Sequence, residues 1–457
     1  MSERLPRIAL AVLIVGLAAH NLVMAELWDA GIRGASLDVV AAWKDVLLAC
    51  ALVVALLAAR SVPLRLWADR LALAYGAFVV LYWLLPQGWL DGAATHRGQL
   101  FAARHDLIPV AAYFLGRLLF LTPRSWRRLS LALVAVAVGL TVWGLIDVYL
   151  VPLQWWRDSG VPGWFGDQLG LDYQGISGLP ENWIFNTGDE NNPVRRLVSG
   201  FLSPLATSYV LVIVLLYLVA RKRTWWTVTA GAIAYAGLLW THTRAAYLAL
   251  ALGLVVLAAA QRRFLPVALA VASLVIGVGF VKAFPHIGPS TSYTQTELDY
   301  LREQGQQNPG VSDDPLSAGD ASTSSHLRNL RDGIRTVIHH PLGFGLGNAG
   351  VSASRTGVEI KAGESTYTEL GVEIGVAGLA VFLAWMAAVL IALWRRSAWL
   401  SAAWVAMLAI GIQTDVIGVH WIAYVLFALA GAAVGGGLPD DDDHYDHGDH
   451  VVDGVPA

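Results

Sequence analysis

The chain has 457 residues, of which 56% are hydrophobic and 14% charged, with a mean hydropathy of +0.55. Soluble domains carry roughly 25% charge, so this composition excludes a soluble globular protein and points to a polytopic membrane protein. The formal net charge of −3 decides little, because such a chain sorts charge by membrane side, and a single cysteine, Cys50, excludes an intramolecular disulfide.

A membrane-crossing helix needs roughly 20 apolar residues. About twelve runs of that kind are centred near Val15, Leu48, Val79, Ala111, Ala137, Val210, Gly231, Leu252, Ser273, Leu379, Met407 and Ala428. The first follows Arg4 and Arg7 and reads as an uncleaved signal anchor. The expected fold is all-α, a polytopic membrane helical bundle over residues 1–437 with about twelve transmembrane helices and a large extracytoplasmic loop carrying short helices.

Orientation follows from Lys and Arg in the short connections. Arg4/Arg7, Arg60/Arg65/Arg70, Arg124/Arg127/Arg128, Arg221/Lys222/Arg223, Arg262/Arg263 and Arg395/Arg396 fall in every second connection. They therefore share one side, the cytoplasm, and both termini are expected there. The opposite side receives two long segments, 151–194 and 285–365. The tryptophans of the first suit an interfacial belt or a sugar platform. In the second, residues 290–325 are polar, and SSHLRNLRDGIRTVIHHPLG then places Leu327, Leu330, Ile334, Val337 and Ile338 at helical spacing. That spacing predicts an amphipathic helix at the membrane surface. The acidic, His-rich tail, 438–457, is expected to be a disordered cytoplasmic tail without a metal site.

Three features share the extracytoplasmic side. RRLVSGFLSPLA (195–206) leads into the sixth run, THTR (241–244) forms the tight turn between the seventh and eighth, and Glu364 precedes the tenth. Helix N-termini offer free N–H groups and partial positive charge, and an arginine there adds a bidentate fork for phosphate. Arg196 and Arg244 are thus suited to a diphosphate at the interface. Arg195 reads as an interfacial, snorkelling side chain. A carboxylate before a helix can simply cap it, but Thr366 and Glu369 form a T-x-x-E capping box, which leaves Glu364 freer, with capping and catalysis both open on the residues alone. Glu373, inside the apolar run, reads as a structural partner for an arginine.

Taken together these segments resemble a known family. Arg196, Phe201 and Pro204 are similar to the R-x-x-G-x-F-x-x-P signature of the O-antigen ligase and O-antigen polymerase family. THTR resembles its S-x-S-R turn, HHPLGFGLGNAG its P-x-G-x-G loop, and ESTYTELGVEIGVAG its H-N-x-Y-L-x-x-L-x-E-x-G-x-x-G helix start, with Tyr367, Glu373, Gly375 and Gly378 in matching places. The resemblance runs from Arg196 to Leu393. It departs at Glu364 and Ser365, where ligases usually show His and Asn, and at Ser199, where the first motif usually has glycine.

The resemblance implies a bacterial inner-membrane glycosyltransferase. Such enzymes move a glycan from a polyprenyl (undecaprenyl) diphosphate carrier to an acceptor hydroxyl outside the cytoplasm, with inversion and without metal, nucleotide sugar or other cofactor. Arg196 and Arg244 would hold the diphosphate, with Arg331 on the amphipathic helix as a further contact, and Glu364 would act as the catalytic base. The expected partners are the lipid-linked glycan, an acceptor glycan or second lipid-linked repeat unit, and membrane lipids; no nucleic acid is expected. PLGFGLG is not a nucleotide-binding fingerprint, because it lacks the preceding strand and the following Lys-Ser/Thr. Polymerisation of surface polysaccharide is the leading reading, ligase-type transfer to lipid A core, cell-wall polymer or protein the second, and transport of lipid-linked sugars the third. A transporter would place ionisable groups near the membrane midplane, whereas most here sit at the outer ends; Lys44, Asp45 and Asp147 are the main exceptions, on which a transport reading would have to build. Further polar residues that could line an acceptor groove or act structurally are His96, Arg97, Arg104, His105, Asp106, Asp147, Asp172, Arg328, His339, His340, Asp415 and His420.

Overall fold

Apolar runs in lipid must satisfy their own backbone groups, and the helix does so within one segment. A computed structural model describes residues 4–438 apart from 60–62, 172–178, 181–182, 188, 308–316 and 318–320. Arg60, Asp172 and the acidic tail lie outside the described residues. A helix occupies each of the expected apolar runs. These are α1 (Arg4–Asp29), α2 (Trp43–Ala59), α3 (Trp67–Leu84), α4 (His96–Arg117), α5 (Pro123–Leu150), α6 (Pro204–Ala220), α7 (Trp225–Trp240), α8 (Arg244–Gln261), α9 (Leu265–Ile287), α11 (Thr366–Trp394), α12 (Ala398–Ile410) and α13 (Ile422–Val434). The amphipathic helix is α10 (Ala321–His339).

Among the described residues, five helices are long and apolar enough to cross a membrane: α1, α5, α8, α9 and α11. The count reaches six if Ala35–Ala41 and α2, bent by 43°, form one span. The expectation of about twelve spans is therefore not established by length and composition. The reasons are local. α6, α12 and α13 are apolar but only 10–17 residues long. α7 has 16 residues, and α3 and α4 carry Asp69, Arg70, Arg97, Arg104 and Asp106.

The connections alternate between two ends. At one end Gly34 and Gln168, Asn348 and Ala93, Arg196 and Thr241, and Thr366 and Thr414 are joined by hydrogen bonds. At the other, Leu121 bonds to Gly437, Arg396 to Val434 and Gln261 to Ala220. Both long segments lie at the first end. The shorter one contributes a two-residue antiparallel pair, β1 (Ile184–Phe185) and β2 (Val194–Arg195). The longer one carries Gln295–Gln307, α10 and Gly350–Ser354.

Which helices sit inside follows from their faces. A helix apolar all round is one surrounded by others, and α6 is buried from Thr207 through Leu218 while α13 is buried throughout. Ser203 caps α6 by accepting from Ala206 N, and Pro204 supplies the fixed φ of its first turn. α8 packs on α9 and α12, α13 on α4, α11 on α3, and α7 on α5 and α6. α9 leaves Val271, Val275, Ile276 and Val278 exposed. A continuous apolar outer surface of this kind suits lipid rather than water, and the chain is a membrane protein.

Candidate active site

The first part of the site is set by a short strand. Arg195 N donates to Pro289 O at 2.8 Å, Arg196 N to Trp183 O at 2.9 Å, and Leu197 N to Trp240 O at 3.0 Å. Adjacent residues of an extended chain point to opposite sides, so the two arginines diverge. Arg195 turns inward, 2% exposed, and its Nη2 donates to Asp147 Oδ2 at 2.9 Å. Its Nη1 donates to Val151 O at 2.6 Å, and Trp156 Nε1 donates to Asp147 Oδ1 at 2.6 Å. Arg195 is therefore not a snorkelling side chain but half of a buried ion pair, and Asp147 is not available to an acceptor groove.

Arg196 turns the other way. Its Nε donates to Thr241 O at 2.9 Å and its Nη2 to Thr243 Oγ1 at 3.0 Å. Among the described residues Nη1 makes no hydrogen bond. Burial lowers the Arg196 guanidinium to about 10, and the nearby charge of Arg244 pushes in the same direction against Tyr247 and Tyr209. Arg244 is the first residue of α8, half-buried at the helix N-terminus. The turn between them bends at His242, whose φ is +49°. The His242 ring lies 4.3 Å from Phe185 and 4.5 Å from Phe284, and burial lowers it to about 3, so it is neutral. The structure thus brings Arg196 and Arg244 together, with Thr243 between them, at a helix N-terminus where free N–H groups add positive potential.

Glu364 sits at the start of α11 with φ +68°, a conformation that side chains other than glycine rarely adopt. Its exposed carboxylate meets His326 of α10, Oε2 to Nδ1 2.6 Å. That hydrogen bond, against partial burial and with help from Asn329, lowers the Glu364 carboxyl below its ordinary value. The capping box is not formed. Ser365 occupies the N-cap position without a side-chain cap, and its hydroxyl donates to Gly411 O at 3.2 Å. Thr366 is the first helical residue; its hydroxyl donates to Thr414 O at 3.1 Å and accepts from Val416 N at 2.9 Å. Thr414 is also hydrogen-bonded to Tyr209 of α6, which faces the charge of Arg196. The 411–416 connection therefore links the Glu364 end of α11 to the arginine pair.

The glycine-rich loop explains the shape of α11. Gly375, with φ +69°, breaks the helix within one apolar run. The freed backbone is satisfied by the loop: Phe344 N donates to Val372 O at 2.6 Å and Val376 N to Pro341 O at 2.9 Å. Gly347 N donates to Glu373 Oε1 at 2.9 Å. Glu373 is thus a structural group, but its partner is a backbone amide and not an arginine.

The remaining candidates separate. Arg104 makes a two-point pair with Asp45, 2.9 Å on each arm, and Tyr424 also donates to Asp45. His105 lies between Asp106 and Asp415, 2.8 Å from each. His339 Nδ1 contacts Arg335 O at 2.7 Å, and His340 rests against Phe344 with ring centroids 4.3 Å apart. Arg331 is exposed and makes no hydrogen bond among the described residues. It shares a stripe with exposed Leu327, Ile334 and Ile338, about 140° around the helix from His326 by the 100° step per residue. Among the described residues no hydrogen bond is seen from Arg331, His339 or His340 to Arg196.

Sequence reasoning missed His326. It stands 38 positions before Glu364, and the only local sign was its place one residue outside the apolar stripe of α10.

Residues 229–383 match the family model described as O-antigen ligase. The match begins within α7 and ends within α11, so it includes Arg244, the α10 helix, the glycine loop and Glu364. The resemblance carried by the motifs is borne out over that O-antigen ligase segment. Arg196 lies before it. A search of curated proteins returns no match.

Proposed function

We propose that the chain is a membrane glycosyltransferase that moves a glycan from a polyprenyl diphosphate to an acceptor hydroxyl at the loop-rich end, and that this end faces away from the cytoplasm across about twelve crossings. The observation that carries the reading is the Arg196–Arg244 pair at the N-terminus of α8, within reach of the O-antigen ligase segment. Arg196 is hydrogen-bonded to Thr243, the residue before Arg244; two cationic groups on one turn in a partly buried setting attract a doubly charged group, and a lipid diphosphate is one that would lie at this depth.

In this reading the acceptor oxygen attacks the anomeric carbon as the bond to the diphosphate oxygen breaks. The electron pair leaves with the diphosphate, where Arg196 and Arg244 take up the developing charge. The acceptor proton passes to the group at Glu364, and attack opposite the leaving group inverts the anomeric centre. Polymerisation of lipid-linked repeat units is the leading form, since Glu364 and Ser365 depart from the His-Asn of ligases. Ligase-type transfer is the alternative.

The residues on which a transport reading would build are all engaged in pairs. Lys44 and Asp45 lie in the first turn of α2 and Asp147 near the end of α5, all at the loop-rich end. Each is paired: Lys44 with His20 at 2.9 Å, Asp45 with Arg104 and Asp147 with Arg195.

The test is surface-glycan profiling by gel in a deletion strain complemented with wild type, Arg196→Ala, Arg244→Ala or Glu364→Gln, with membrane expression measured for each. Expressed variants that fail to restore long glycan support the site. Single repeat units on the normal acceptor indicate polymerase, and long chains stranded on the lipid carrier indicate ligase. Full restoration by all three variants would remove the reading.

A further inference from the structure

The group at Glu364 is a pair, and the two members are not equivalent. A carboxylate only accepts hydrogen bonds. The 2.6 Å contact between Glu364 Oε2 and His326 Nδ1 therefore places the ring hydrogen on Nδ1. In the neutral imidazole this leaves a lone pair on Nε2, which makes no hydrogen bond among the described residues. Both side chains are reachable, His326 at 37% and Glu364 at 44% exposed.

The scaffold fixes this arrangement from both sides. Glu364 keeps a left-handed backbone, φ +68°, which residues other than glycine rarely adopt. Its neighbour Ser365 is tied to Gly411, and Thr366 to Thr414. His326 is carried by α10, which lies tight on α11 through two glycines. A Cβ on Gly333 would come within 2.8 Å of Thr368 Cβ, and one on Gly371 within 2.7 Å of Val337 Cγ2. Two helices in such close contact hold a side chain of one against a side chain at the start of the other.

We propose that His326 Nε2 is the atom that accepts the acceptor proton, and that Glu364 is the positioning residue that orients the ring and stabilises the imidazolium formed. This inference rests on the glycosyl-transfer reading and refines it. The acceptor O–H bond breaks to give its proton to Nε2, the acceptor oxygen bonds to the anomeric carbon, and the carbon–oxygen bond to the diphosphate breaks with its electron pair on the leaving group. The imidazolium then loses its proton to solvent. A base is most effective when its pKa lies near the working pH. The hydrogen bond from His326 makes Glu364 a weaker base than an ordinary carboxylate, while the ring keeps a lone pair on Nε2 that can take the proton. The arrangement follows the general logic of a base oriented by a third group.

The experiment uses purified full-length protein with a polyprenyl diphosphate-linked oligosaccharide as donor and acceptor, and follows release of polyprenyl diphosphate. His326→Ala and His326→Gln are expected to lose about 100-fold or more in kcat, the usual scale of a general base, with the donor KM unchanged. Added imidazole should restore part of the turnover of His326→Ala. Glu364→Gln should lose less than either and gain nothing from imidazole. Unchanged kcat in His326→Gln alongside a large loss in Glu364→Gln would overturn the proposal and make Glu364 the base. Loss in the His326 variants with raised KM and no imidazole rescue would also overturn it, leaving His326 a packing role. A wild-type protein that releases no polyprenyl diphosphate would overturn the glycosyl-transfer reading itself, and the dyad with it.

Discussion

Arg195 donates to the Asp147 carboxylate, while Arg196, one position on, turns its guanidinium to the Thr241–Thr243 turn. The strand alternation separates an arginine buried in an ion pair from the one proposed to hold diphosphate, and the RR dipeptide alone does not say which is which. Removing one partner from a buried ion pair leaves an uncompensated charge. Asp147→Ala should therefore lower stability by about 3–5 kcal/mol, and the double variant Arg195→Met/Asp147→Leu by much less, as read from thermal unfolding of the purified protein. Arg244→Lys keeps the charge but loses the planar fork. It should reduce transfer by roughly 10–100-fold, the equivalent of one charged hydrogen bond, in a donor-release assay. The Glu364 carboxyl is held below its ordinary value in the folded protein, so as pH falls the unfolded chain takes up that proton first. The contribution is present above the ordinary carboxylate range and is lost as pH drops through the lowered value. The protection of α10 amides against hydrogen exchange, corrected for the intrinsic rate at each pH, should fall as pH drops below the ordinary carboxylate range. At this scale the sequence was only partly legible. The T-x-x-E pattern at Thr366 was a poor guide because Ser365 already held the cap position. Ser199, which stands in a usual glycine position, adopts φ +54° regardless, with its hydroxyl bonded to Leu140 O at 2.7 Å.

The decisive element is α11 with the loop that breaks it. Its apolar run is continuous, so hydropathy gives no sign that Gly375 interrupts the helix. The break needs the 341–347 loop, whose carbonyls and amides replace the lost helical bonds. A Cβ on Gly375 would come within 2.7 Å of Pro341 O, and its φ of +69° is strained for any other residue. Gly375→Ala should cost about 1–3 kcal/mol from backbone strain before the clash is counted. The expected result is loss of monodisperse protein on size-exclusion chromatography, even though the residue touches none of the proposed reacting groups. Unaltered elution and melting would contradict the loop-in-break arrangement. The amphipathic α10 was legible from its spacing, but its two sides were not. Val337 is buried against Val372 and Phe344, whereas Leu327, Ile334 and Ile338 stay exposed, because only one side meets α11.

At the scale of the whole molecule, composition was sufficient for the all-α membrane class, and the apolar runs coincide with helices throughout. The number of crossings was less legible, because α3 and α4 carry polar residues that pair inside the bundle. Arg117 donates to Asp69 at 2.6 Å, and Arg104 to Asp45. Such pairs lower hydropathy without removing a helix. The alternation of connections makes a direct prediction about sides. In a Cys50→Ala background, Asn191→Cys should react with an impermeant maleimide in intact cells, and Lys222→Cys only after permeabilisation. Labelling of both from the same side would overturn the topology.

Arg196 and Arg244 are proposed to hold a lipid diphosphate while the Glu364 end of α11 receives the acceptor. The most direct measurement is release of polyprenyl diphosphate by the purified protein from a lipid-linked oligosaccharide, wild type against Arg196→Ala and Arg244→Ala. Wild type is expected to couple release to glycan extension, and each variant to release at least tenfold less, roughly the loss of one charged hydrogen bond, with unchanged melting. Equal release by all three proteins would contradict that assignment.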